Sequence, residues 1–444
     1  MNDPVGLPEE AILAIGDEMH GWARDLFPIC RSITGDGVRQ TLRYFQNILP
    51  DLTLHEVPSG TRAFDWTVPD EWNITEGYLE NEAGERIVDF ADSNLHVLNY
   101  SEPVDCWLDR GALESHLYSM PDQPDLTPYV TSYYQRRWGF CLPHRLRESL
   151  PPGRYHAVIR SRLEPGALTY GELVLPGQVA DEVLLSTDIS HPSIANNELS
   201  GPVTTAALAR WLSRRPDRRL TYRIVFLPET IGSILYLSRH LAALKQNVIA
   251  GYLVICTGDE RTYSLMPSRD GNTLADRIAR HVLQRRVEAY DEYDFLERGG
   301  DERQYCSPGI DLPLAVVMRS KYATYPEYHT SADDLSLVTP AGLAGSYMVL
   351  RDCLRILEHD GYYRATTLCE PQLGKRGLYP TLSVKGSATG VRAMMNVLAF
   401  CDGRRDLVAL SERVRLSAPD VIPMLETLVA HDLIERLDTP FDGA

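Results

Sequence analysis

From about residue 168 onward, short and nearly unbroken apolar runs alternate with longer amphipathic ones. No other feature of the chain limits its fold as tightly. GELVLPG, EVLLSTDIS, LTYRIVFLPE, VIAGYLVICTG and LPLAVVMRS carry apolar side chains at successive positions. A strand with one wet face would alternate apolar and polar; an unbroken run predicts a strand covered on both faces. Between them, Leu199–Arg214, SILYLSRHLAALKQ, Thr273–Gln284 and Pro340–His359 read as helices. Strand–helix alternation of this kind predicts an α/β fold, a mostly parallel sheet flanked by helices. Two further helices precede it. Residues 8–29 place Ile12, Leu13, Ile15, Met19, Trp22 and Leu26 on one side, and Val38–Leu49 follows the turn SITGDG. Both are expected to pack on the sheet domain.

Between these parts the texture changes. Residues 52–165 are rich in Tyr, Trp and Pro, with short alternating stretches such as LTLHEV, RIVDF, LHVLNY and YHAVIR. That pattern predicts an inserted β-rich domain. Near the end, Arg392–Cys401, Leu407–Val414 and Pro419–His431 are three short helices followed by the strand-like LIERL, the order of a winged helix. The predicted domains are therefore 1–51 with 166–365 (α/β), 52–165 (inserted) and 376–444 (winged helix).

Charge narrows the partners. The net charge is -17, and residues 375–444 hold nine Lys/Arg against nine Asp/Glu. A neutral winged helix on an acidic protein argues against nucleic acid and anionic membrane as partners. No apolar run reaches the roughly 18 residues of a membrane span. The opening MNDPVGLPEEAILAIGDEMHGW lacks the basic-then-apolar order of a signal peptide, and the eight cysteines form no CxxC. These features point to the cytoplasm.

Four segments carry reactive side chains, each at or just after a predicted strand end, where open α/β sheets bind ligands. In SHPSIANNELSG, His191 and Glu198 share one loop and suit zinc; equally, Glu198 could cap the next helix. In LPETIGS, Glu229 ends an apolar strand, where a poorly solvated carboxylate needs a cation or a proton. In RGGDERQYCSPGIDLP, Asp301, Glu302, Arg303 and Tyr305 crowd beside a strand and suggest substrate contacts. In YPEYHTSADDLS, His329 lies among aromatics.

In this order the four segments resemble the zinc aminopeptidase clan that also includes glutaminyl cyclases. ANNELSG stands where the bridging-Asp segment would be, PETIGS for the acidic pair, GDERQYCSPGI for the third motif and EYHTSADDL for the fourth. More narrowly, LFPICRSITGDGVRQTL, FDWTVPDEWNI, SNLHVLNYS and HPSIANNELSG resemble a bacterial family of aminopeptidase-like proteins. Its members have an inserted β domain and a C-terminal winged helix, and often occur with polysaccharide or secondary-metabolite biosynthesis.

The resemblance implies a zinc hydrolase with His191, Glu198, Glu229 and His329 as candidate ligands. Glu229 or Glu198 would act as general base. Asp301 would meet a substrate amine and Arg303 a carboxylate or oxyanion, with Tyr305 and Tyr328 as pocket walls. Departures from the clan pattern qualify this. Asn197 stands in the bridging-Asp position, the acidic pair is reduced to Pro228-Glu229, and Asp259 is the nearest candidate for the strand-end Asp. Fewer carboxylates imply one zinc ion, not two. The expected substrate is a small molecule or short peptide, with the β module and winged helix restricting access or joining copies into a homo-oligomer. Arg31 and the Trp66–Trp72 region are candidates to reach the pocket. Three alternatives remain: a zinc-dependent acyl transferase or cyclase, a non-catalytic ligand-binding protein, and a winged-helix regulator.

Overall fold

The computed structural model describes residues 8–378 and 389–442. Its centre is an eight-stranded sheet. In chain order the strands are β1 (Thr53–Pro58), β2 (Ala167–Leu175), β3 (Glu182–Asp188), β4 (Thr221–Leu227), β5 (Val248–Leu253), β6 (Ser264–Met266), β7 (Asp291–Glu292) and β8 (Leu314–Met318). In space they run β1-β2-β4-β3-β5-β8-β6-β7. The central four, β4-β3-β5-β8, are parallel. The antiparallel pairings lie outside them: β1 with β2, β2 with β4, and β6 with β8.

The unbroken apolar runs are explained by the two faces. Every residue of β3 is buried. Val183 and Leu185 point into one hydrophobic cluster and Leu184 into the other. β4 divides in the same way, with Tyr222, Ile224 and Phe226 on the first face and Val225 and Leu227 on the second. Helices α1 (Glu9–Leu26), α2 (Asp36–Ile48), α3 (Ser200–Ser213), α5 (Leu274–Arg286) and α6 (Pro340–His359) cover the first face, and α4 (Ile231–Asn247) covers the second. α3 is buried nearly all round, and its start is fixed by a close approach. A Cβ on Gly201 would collide with the Val254 carbonyl oxygen, so only glycine lets the helix begin against the strand end.

Two boundaries fall differently from the sequence reading. Residues 53–58 read as part of the β-rich insert, yet they pair with β2 along the edge of the main sheet. Alternation marks them as a strand without saying which sheet receives it. The insert's own antiparallel sheet runs Arg86–Asp89, Glu71–Asn81, Arg154–Glu164, Val104–Asp109, over a separate core that includes Leu79, Val97, Phe140 and Ile159.

The C-terminal unit begins earlier than residue 376. Tyr362–Ala365 pairs with Ile434–Leu437 around helices α7 (Thr389–Ala399), α8 (Leu407–Val414) and α9 (Ala418–Ala430). Nor is it separate in packing. Leu407, Val421, Ile422 and Leu425 belong to the same buried cluster as the first sheet face. The segment before α7, residues 379–388, lies outside the described residues. Among the described residues no helix is long and apolar enough to cross a membrane.

Candidate metal centre and cleft

The carboxyl ends of the parallel strands converge on one site. His191 directly follows the Ile189 and Ser190 that leave β3, and it is buried. The loop 192–199 then turns back. Glu198, buried, accepts from the Ser190 backbone N–H at 2.7 Å and contacts His191 Nδ1. That contact fixes the ring and turns Nε2 towards Glu229, whose Oε2 lies 3.7 Å away. Glu229 lies two residues past the end of β4, and its N–H donates to Ser190 Oγ at 3.2 Å. His191, Glu198 and Glu229 each offer a donor atom, and these atoms lie within 4.8 Å of one another. His329 arrives from the segment before α6 in a left-handed conformation, φ 54°. Its ring centroid is 5.1 Å from that of His191, and its Nε2 lies 3.0 Å from Asn197 Oδ1. His329 thus lies beside the cluster of His191, Glu198 and Glu229 and outside its 4.8 Å spacing.

The site is short of positive charge. Asp188, Glu198 and Asp301 are buried, and Glu229 is 27% exposed. The nearby full cations are Arg31, which is buried, and Arg303, 3.9 Å from Glu229. Burial first, then Asp301 and Glu229, raises the Asp188 carboxyl well above its usual range. Burial pushes Glu229 to about 7 against the pull of His191, and Asp301 to about 6. Burial, then His191, lowers His329 to about 3 and keeps it neutral. Burial opposes protonation of His191 too, but Glu198 and Glu229 outweigh it and raise its pKa. Asp188 Oδ1 and Asp301 Oδ2 accept from no N–H or hydroxyl donor, and the two carboxyls lie against each other. Buried carboxylates with unpaired oxygens call for protons or a cation, and neutral imidazole beside carboxylate is a donor set that suits a divalent ion. The residues present fit a metal.

His191, Glu229 and His329 also share the wall of a cavity of about 460 Å³. Six of its thirteen lining residues come from the insert: Trp66, Tyr129, Val130, Thr131, Tyr133 and Tyr134. The insert segment is tied down beside the site. Tyr129 N–H donates to the His329 carbonyl at 2.8 Å, and Ser331 N–H donates to that of Thr127 at 2.8 Å. The Tyr129 ring meets both imidazoles edge-on, at 4.6 and 5.2 Å.

Several expected substrate contacts are corrected. Asp301 cannot meet an amine, because it is fully buried and its Oδ1 accepts from Thr230 N–H at 2.8 Å. Glu302 is equally buried and braces its own Gly-Gly turn, accepting from Gly299 N–H at 2.7 Å and Tyr322 Oη at 2.5 Å. Tyr305 bonds Ser186 at 2.8 Å inside the core. A dense charged loop beside an apolar strand looked like a pocket; most of its charge is spent holding the loop. Arg303 alone of the four lines the cavity. Asp259 is engaged by Asn196, Arg261 and Ser320. Of the 66–72 region Trp66 reaches the cavity, while Trp72 is buried. Arg31 lies behind the site, donating to the His191 carbonyl at 3.0 Å. Tyr328 stacks on His329, with ring centroids 3.9 Å apart.

Tyr129, Tyr133 and Asp188 were not singled out from sequence. Asp188 had a signal, an acid at the end of the apolar run EVLLSTD. The tyrosines had a weaker one, aromatics four apart in YVTSYYQ.

Comparison with known proteins agrees with this architecture. A family profile described as a domain of unknown function, DUF4910, matches residues 20–360, and a winged helix-turn-helix profile matches 361–436. A protein of Clostridium acetobutylicum is 41% identical over 398 residues, 89% of this chain and 91% of its own length. Its name assigns it provisionally to polysaccharide biosynthesis, with an aminopeptidase-like domain. A crystal structure from the same organism, provisionally titled a peptidase, superposes with a TM-score of 0.90 at 38% identity, covering 96% of this chain and 98% of that one. The zinc aminopeptidase of Bacillus subtilis shares the fold at a TM-score of 0.55 and 10% identity, over 76% of this chain and 94% of its own. The chain belongs to the DUF4910 family, an aminopeptidase-like α/β fold followed by a winged helix.

Proposed function

We propose that the protein is a metal-dependent hydrolase of small amides, with one zinc ion as its cofactor. The observation that carries this is the shared cavity wall of His191, Glu229 and His329, two imidazoles and a carboxylate facing space for a substrate. These three residues would hold the ion, and Glu198 holds His191 in the ring orientation that presents Nε2. A carboxylate behind a ligating histidine raises its basicity and fixes its tautomer. Zinc bound there supplies a Lewis acid that makes water nucleophilic near neutral pH and polarises a carbonyl.

The chain's own groups supply the rest. Glu229 is the one carboxylate that lines the cavity, and its Oε1, on the side of Arg303, takes the proton from the attacking water. Tyr129 and Tyr133 share one hydrogen bond, Oη to Oη at 2.8 Å. Two hydroxyls with one bond between them leave a second proton free, and it stabilises charge growing on the carbonyl oxygen. The name of the Clostridium relative fits an amide in polysaccharide assembly.

The test is metal analysis with turnover of an amide panel by the wild type and by His191→Ala and His329→Ala. Loss of both metal and turnover in either variant supports the reading; full activity in either one refutes it. One observation favours a second reading, a metal-dependent ligand-binding protein: a single cavity carboxylate must serve both ion and proton. Metal-dependent turnover of any amide excludes it.

A further inference from the structure

The charges on the cavity wall narrow the substrate of this hydrolase. An aminopeptidase substrate places an ammonium beside its scissile carbonyl, and that ammonium requires a carboxylate free of other duties. Glu229 is the one carboxylate on the wall, and the proposed reaction engages it. Asp301, the sequence's candidate, is fully buried. Among the described residues the wall's one full cation is Arg303. Its Nη2 donates to Thr230 Oγ1 at 2.7 Å and stands 3.9 Å from Glu229. The remaining guanidinium N–H groups have no partner among the described residues, and the side chain is 40% exposed. A planar fork of free donors repels an ammonium and matches a carboxylate. At the mouth, Trp66 and Tyr134 are 38% and 50% exposed and meet edge to face at 5.5 Å. Exposed aromatic faces in a cleft receive a flat apolar surface.

We infer that the substrate is an N-acylated compound bearing a carboxylate, with its acid on Arg303 and a ring face against Trp66 and Tyr134. An N-acylamino acid and an acidic acetamido sugar share this chemistry. The inference rests on the hydrolase reading. In the reaction the water oxygen bonds to the acyl carbon and the C–N bond breaks. The water's proton passes through Glu229 to the departing nitrogen, giving a carboxylic acid and an amine with no change of oxidation state.

The test uses two matched pairs on the zinc-loaded full chain. N-acetyl-L-phenylalanine is set against N-acetylphenethylamine, and N-acetylmuramic acid against N-acetylglucosamine, with L-phenylalaninamide as the free-amine arm. In at least one pair the acid should exceed its neutral partner in kcat/KM by about tenfold or more, the scale of one charge-assisted bond. Arg303→Met, checked for unchanged zinc content, should bring that ratio close to one. The responding pair identifies the amino acid or the sugar. Equal rates within both pairs, or preference for L-phenylalaninamide, overturn the inference while leaving the hydrolase standing. If nothing is cleaved, calorimetry decides: acid-selective binding lost in Arg303→Met keeps the ligand class and removes the hydrolase, and its absence overturns the inference.

Discussion

The insert and the winged helix are both additions to one α/β sheet, yet they are joined to it in opposite ways. The insert keeps one hydrophobic core of its own, lends Ala63, Val68, Trp72 and Tyr100 to the cluster on the sheet's second face, and walls the cavity with Trp66 and the loop 127–134. Among the described residues the winged helix contributes nothing to that cavity, and it merges its core with the first face of the sheet. Arg277 on α5 pairs with Asp406 at 2.7 Å, and His281 Nε2 accepts from Ala418 N–H at 2.9 Å. α9, in the place where winged helices carry their reading helix, has no Lys or Arg in APDVIPMLETLVA. The lesson is that a module's influence on chemistry depends on which end of the strands it meets. The insert meets the carboxyl ends, and the winged helix buttresses the layer of helices.

The largest effect expected lies on the insert's side of the comparison. His191→Ala or His329→Ala should remove the metal and lower turnover by more than about 100-fold, whereas Glu198→Gln, which loosens a supporting contact, should cost about 10–100-fold. Metal content and kcat/KM on one amide measure both. A winged-helix variant with a comparable loss of metal would erase the distinction between the modules.

Core truncations test the packing difference. Leu425→Ala in α9 should cost about 2–5 kcal/mol and Phe140→Ala in the insert about 3–5 kcal/mol. Calorimetry should show the first lowering one transition shared with the main core, and the second splitting off an earlier transition for the insert. A separate early transition for Leu425→Ala would show that the shared cluster is not cooperative.

Tyr133→Phe removes the hydroxyl pair and should lower kcat by up to about 100-fold with little change in KM. An unchanged kcat would reduce the insert loop to a wall.

The smallest effect is on pH. Burial, with Arg285 adding to it, lowers His281 from 6.5 to about 4, while Glu412 lies 3.9 Å from Nδ1. The folded state therefore binds this proton less readily than the unfolded chain. The contribution is complete above pH 6.5 and is lost as pH falls towards 4, the loss reaching about 1 kcal/mol near pH 5.5. Hydrogen exchange in α9 should speed up over that window before exchange in the insert's sheet does. Equal acceleration in both would remove His281 as the cause.

Much of this was legible in the chain itself. Strands buried on both faces cannot alternate, so runs such as EVLLSTD and TYRIVFL announced the central parallel sheet. Glu229 at the end of one, and His191 just after another, followed from where such sheets leave polar residues. The second histidine, His329, and the loop carrying Glu198 were readable for the same reason, since each lies within a few residues of a strand or helix end. Tertiary structure alone decided the rest. It placed residues 53–58 in the main sheet, because edge pairing depends on which partner strand is free. It buried Asp301, Glu302 and Tyr305 and left Arg303 facing the cavity, because one loop's side chains divide between two sides that no local pattern distinguishes. And it brought Tyr129 against His191, and Tyr133 to the same cavity wall, across more than fifty residues of sequence, an arrangement set by how the insert folds back and not by any periodicity.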